Sequence, residues 1–134
     1  MNLSNMVNAA NKITALTLVA GGSYAEREAW ITTALQNLPP QEYQQKSGVL
    51  LEGLPAGIMP LQPSTTLSVE RIAPGCFCCI GQLAMRVSLN RLLRQKLGHF
   101  FIAINDAQHV ASLQSSLNQP PYAALVTCQN VITL

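Results

Sequence analysis

The stretch Ile13-Thr14-Ala15-Leu16-Thr17-Leu18-Val19-Ala20, followed by Gly21-Gly22-Ser23, decides the fold. Eight aliphatic and β-branched residues without a charge read as a strand buried on both faces. Two glycines and a serine break the run. Beyond them, Ala25 to Leu38 sets Ala29, Ile31, Ala34, Leu35 and Leu38 on one helical face, and Pro39-Pro40 stops the helix. Strand, short break and helix form the opening unit of an α/β domain.

Working outward, the same alternation continues. Gly48 to Glu52 reads as a short strand, the Gly- and Pro-rich Gly53 to Pro63 as a loop, and Thr65 to Ile72 as a strand with β-branched residues at alternate places, ended by Pro74-Gly75. Ile80 to Leu97 spaces Leu83, Val87, Leu92 and Leu93 as an amphipathic helix, with Gly98 as its C-terminal stop. His99 to Ile104 reads as a second strand buried on both faces, Val110 to Leu117 as a short helix and Tyr122 to Thr127 as a last strand. Strands alternating with helices predict an α/β three-layer sandwich with a mainly parallel sheet. No internal repeat interrupts it.

A length of 134 residues fits one domain over 1–134. The chain is 49% hydrophobic and only 10% charged, against roughly 25% charged in an average soluble domain. Such a chain buries much of its surface or hides some of it against a partner, so a homo-oligomer is expected. The net charge of +2 rests on few charges, and the densest basic group is Arg86, Arg91, Arg94 and Lys96. That is too weak a footprint for nucleic acid. Nothing approaches the roughly 18 consecutive apolar residues of a membrane span. Lys12 and the apolar run after it imitate a secretory signal, but one positive charge and a short run broken by Thr14 and Thr17 read better as a first strand.

Three of the four cysteines, Cys76, Cys78 and Cys79, lie within four positions, and Cys128 is distant. Bridging such near neighbours would be strained and would close almost no loop, which points to a reduced, cytoplasmic setting. There, clustered thiols bind metal or do redox chemistry. Between a strand end and a helix start they can face one small volume, and a cysteine at a helix N-terminus is pushed toward the thiolate that zinc and copper require. The bland alternative is a set of inert, buried small hydrophobes. Three sulfurs leave one tetrahedral place for a fourth donor: a partner subunit, a solute, water, His99 or His109. Cys128 reads as a core residue.

The segment Val69-Glu70-Arg71-Ile72-Ala73-Pro74-Gly75-Cys76-Phe77-Cys78-Cys79-Ile80-Gly81-Gln82-Leu83 resembles the CobW family. That family belongs with HypB and UreG to the P-loop GTPase-like metallochaperones, which carry Gly-Cys-x-Cys-Cys between a strand and a long helix. The resemblance implies a P-loop NTPase-like fold, a metal site at Cys76, Cys78 and Cys79, zinc or a similar metal as cargo, and a metalloprotein client. It covers most of the chain at low identity, and only the cysteine motif is specific. Where the family places a glutamate followed by Thr/Ser and Gly at the end of a later strand, this chain has Ala103-Ile104-Asn105-Asp106. The family's base-recognising Asn-Lys-x-Asp and its C-terminal domain have no counterpart, so the expectation is a truncated member.

A working P-loop reads Gly-x4-Gly-Lys-Ser/Thr, with backbone N–H groups around the phosphates, a lysine balancing their charge and a hydroxyl on Mg²⁺. At the matching place stands Gly21-Gly22-Ser23-Tyr24-Ala25-Glu26-Arg27-Glu28. Gly21 matches the first glycine and Arg27 the lysine, while Glu26 replaces the second glycine and Glu28 the hydroxyl. Two carboxylates would repel a phosphate, so nucleotide binding is not expected. Read without the family, Gly21 to Glu28 is a strand-to-helix turn whose acids suit the helix dipole. No Ser/His/Asp grouping or paired carboxylates suggest another enzyme. The sequence therefore predicts a metal-binding protein without GTPase activity. Its rival is a non-enzymatic interaction module, dimeric along a sheet edge, with relic cysteines.

Overall fold

The computed structural model describes residues 13–39, 45–53, 61–73 and 83–134. Five strands are joined in one sheet: β1 (Thr14–Ala20), β2 (Ser47–Glu52), β3 (Leu67–Ile72), β4 (His99–Ile104) and β5 (Val126–Thr133). All pairings are parallel and the order is β3-β2-β4-β1-β5. Among the described residues three α-helices pack on it: α1 (Tyr24–Gln36), α2 (Leu83–Leu93) and α3 (Val110–Leu117). The α/β three-layer expectation holds, and the arrangement is consistent with a P-loop-like sandwich.

Period-two alternation sends successive strand residues to opposite layers. Leu16, Leu18 and Ala20 of β1, Leu50 of β2, and Phe100, Ile102 and Ile104 of β4 face α2 and α3, where they meet Met85, Leu89, Leu92, Leu113 and Leu117. Their neighbours Val19, Val49, Leu51, Phe101 and Ala103 face α1 and meet Ile31. Most of these side chains are fully buried, each worth roughly 1.5–3 kcal/mol of transfer free energy. An uninterrupted apolar run such as Phe100 to Ile104 follows directly from that double burial.

Several boundaries and faces differ from the sequence expectation. In α2 the buried residues are Met85, Ser88, Leu89 and Leu92, whereas Leu83 is 70% exposed and Val87 is 42% exposed. Those two residues therefore lie off the face that meets the sheet. The chain leaves this helix through Lys96, which takes φ 56°, not through Gly98. Residues Tyr122–Ala124 form a 3₁₀ turn and the last strand starts at Val126, four residues later than its apolar and aromatic start suggests. Cys128 is half-buried and packs at the margin of the core. Among the described residues, no helix is long and apolar enough to cross a membrane.

Candidate functional site

In a parallel sheet with helices on both faces, the ligand crevice forms beyond the carboxyl ends of the strands, where the chain order reverses. Here β1 lies between β4 and β5, the chain leaving toward β2 on one side and arriving at β5 on the other. At that place stand the turn after β1, Glu52 at the end of β2 with Gly53 beyond it, and Asn105 after β4.

The turn is three residues long. Gly21 takes φ 79° and Gly22 φ 62°, a left-handed pair that side chains disfavour. A Cβ on Gly21 would also lie 2.9 Å from the Leu134 carbonyl oxygen. Ser23 then caps α1: its Oγ accepts from the Glu26 N–H at 3.1 Å, and the Glu26 carboxylate accepts from the Ser23 N–H at 2.9 Å. This reciprocal capping box satisfies two of the helix's orphan donors. Because α1 begins at Tyr24, residues that in a P-loop would arch around phosphates are already helical, and two N–H groups an anion would use belong to Glu26 and Ser23.

Arg27 is 2% exposed. Its Nη1 donates to the carbonyl oxygens of Gly21 at 2.6 Å and Gly22 at 2.8 Å, and its Nη2 donates to Asn105 Oδ1. Asn105 Nδ2 in turn donates to the Tyr24 hydroxyl at 2.9 Å, and the Asn105 N–H donates to Glu52 Oε1 at 2.8 Å. The Arg27 guanidinium sits over the Tyr24 ring, 4.9 Å from its centroid, a cation–π arrangement. Burial lowers the Arg27 pKa below the ordinary arginine value, while Tyr24, Glu52 and Glu26 pull it back up. Close packing reaches Gly53 as well: at φ 112°, a Cβ there would sit 2.8 Å from Tyr24 Cδ1 and Cζ.

A second buried charge lies one residue on. Glu28, 5% exposed, accepts both guanidinium nitrogens of Arg71 at 2.8 and 3.1 Å and the Leu61 N–H at 2.6 Å. The fork geometry is the strong, bidentate form of the pair. Only Glu26 therefore occupies the first turn of α1 as an exposed helix-dipole acid. Glu28, expected beside it, is turned inward to lock α1 onto β3.

The structure thus brings Gly21 and Arg27 together, in a contact where the arginine hydrogen-bonds the turn itself. Cys76, Cys78 and Cys79 lie outside the described residues, between Ala73 and Leu83. Among the described residues, no group of three or more His, Cys, Asp and Glu side chains could hold a metal ion. His99 starts β4. His109 sits at the N-terminus of α3, and its Nδ1 is buried with no hydrogen-bond partner among the described residues. Sequence reasoning missed Tyr24, Glu52, Gly53 and Arg71 as members of this corner. The signal available for Glu52 was a lone carboxylate closing an apolar strand. Comparisons with protein-family models, with curated proteins and with solved structures gave no match to this chain, so the likeness to CobW proteins rests on the residues Gly75 to Cys79 and their setting in the sequence.

Proposed function

We propose that the chain is a CobW-like metal-binding protein that works without GTP hydrolysis, serving metal handling or regulation in a reducing, cytoplasmic setting. Cys76, Cys78 and Cys79 supply the thiolates. Three clustered sulfurs suit Zn²⁺ or a similar soft-to-borderline cation. Such a metal would be held by the three thiolates and, when bound, would supply a Lewis-acidic cation open to one further donor.

The observation that carries this reading is the Gly75-Cys76-Phe77-Cys78-Cys79 motif itself, which in the sequence follows β3 and precedes α2. β3 ends at Ile72, at the carboxyl edge where α/β sheets present ligands, and α2 begins at Leu83. The three cysteines occupy the intervening sequence. Support also comes from the crevice between β1 and β4, where Arg27 hydrogen-bonds the turn that would otherwise receive phosphate. His109 is a candidate fourth donor among the described residues, since α3 packs on the same sheet face as α2 and the Nδ1 atom is uncommitted there. A metalloprotein client is the implied partner.

The test is anaerobic purification followed by measurement of bound metal per chain, repeated with Cys78→Ser. Near-stoichiometric metal that falls in the variant supports the site. Substoichiometric metal in both samples overturns it.

A further inference from the structure

We propose that the outer edge of β5 pairs with β5 of a second copy of this chain, antiparallel about a two-fold axis, to form a dimer with one continuous sheet. The two edges of the sheet are built differently. On β3, Glu70 pairs with Arg91 at 2.9 Å and Arg71 pairs with Glu28, so charges guard that edge as they do in most natural sheets. β5 (Val126–Thr133) is longer, carries no charged residue and no proline, and has no strand on its outer side among the described residues.

Register with β1 shows what lies on each face of β5. Val131 stands opposite Leu18 and so faces the layer of α2 and α3, yet it is 41% exposed. Ile132, opposite Val19, faces the α1 layer. Beside it, a groove of about 540 Å³ between α1 and the end of β5 is lined by Trp30, Ala34 and Leu134, with Leu134 42% exposed. Apolar surface therefore flanks, on both faces, an edge that carries no charge and has no strand beyond it among the described residues.

The occupant follows from the charge pattern. In a symmetric antiparallel pair the residue on the axis meets its own copy and every other residue meets the one equally far beyond the axis, so a self-pairing strand must carry no like charges at those positions. β5 satisfies that condition along its whole length. A pairing centred near Val131 sets this exposed valine against its own copy and brings the two α1 grooves onto one side of the joined sheet. About that centre Asn130 to Ile132 pair in regular register, and the bulge at Gln129 of each copy lies opposite Thr133 of the other.

The experiment is sedimentation equilibrium of the full chain at micromolar concentration, with Val131→Lys, Val131→Glu and an equimolar mixture of the two. The expected result is a wild-type dimer, two monomeric variants and a restored dimer in the mixture, since opposite charges then meet across the axis. A monomeric wild type overturns the proposal, as does a dimer that Val131→Lys leaves intact or a mixture that stays monomeric. Far-ultraviolet circular dichroism checks folding, and if Val131→Lys unfolds, the exposed Gln129 and Thr133, which face each other across the axis, are exchanged together for Lys in one variant and for Glu in the other, in the same scheme.

Discussion

The guanidinium of Arg27 donates to the carbonyl oxygens of Gly21 and Gly22, at 2.6 and 2.8 Å, from inside the helix that those glycines introduce. A cation that in a phosphate loop would reach outward is here spent on the backbone of its own turn. Arg27→Ala leaves those carbonyls and Asn105 Oδ1 without their partner in a buried corner. We expect it to lower the unfolding free energy by roughly 3 kcal/mol, read by urea titration. Arg27→Lys recovers only part of this, because an ammonium cannot reproduce the planar fork. Near-wild-type stability of Arg27→Ala would remove the arginine from the account of this corner.

Glu28 and Arg71 form the second test. Arg71→Ala strands the buried Glu28 carboxylate and costs roughly 3 kcal/mol or more, whereas Glu28→Ala, which leaves the part-exposed Arg71 unpaired, costs less. The double variant is far less damaged than the sum, with a coupling toward the upper end of about 0.5–3 kcal/mol. Additive losses in the thermodynamic cycle would mean that the pair does not hold α1 to β3.

Gly53 permits a third. Gly53→Ala places a methyl group against the Tyr24 ring and strains φ 112°, so a loss above about 1 kcal/mol is expected. Adding Tyr24→Ala relieves the contact but not the backbone, and thermal melting of both variants separates the two causes. Full rescue by the second substitution would assign the whole effect to packing.

Nucleotide supplies the fourth. A ligand at a hundredfold its Kd stabilises the folded state by about 2.7 kcal/mol, several degrees in Tm for a domain of this size. With GTP or ATP and Mg²⁺ at millimolar concentration we expect no such shift. A clear rise in Tm, abolished by Arg27→Ala, would show that the crevice opens to phosphate after all.

The sheet was legible because its central strands are buried on both faces, and runs such as Phe100 to Ile104 have no other reading. The last strand was not: Tyr122 to Leu125 has the apolar and aromatic character of a strand but turns in 3₁₀ fashion, while the real strand is diluted by Gln129 and Asn130 at a bulge. The face of α2 went astray because Ser88 is buried and Leu83 is not, a choice made by the sheet beneath rather than by the helix. At the candidate site, Gly21 and Arg27 could be found by their spacing after β1. Their partners Asn105, Tyr24 and Glu52 come from three separate elements and were invisible until the fold joined them. The cysteine motif, the clearest mark in the sequence, lies outside the described residues.

The bonds from Arg27 to Gly21, Gly22 and Asn105 also bear on where the molecule can move. In a nucleotide-driven switch, loops held by the γ-phosphate and its Mg²⁺ rearrange when the ligand changes, and they do so against the corner after the first strand. Here that corner is cross-braced, so opening it means breaking several buried bonds at once, and amide hydrogens there exchange through the rarer, larger openings of the protein. The corner between β1 and β4 is thus a fixed frame to which the rest of the sheet is anchored.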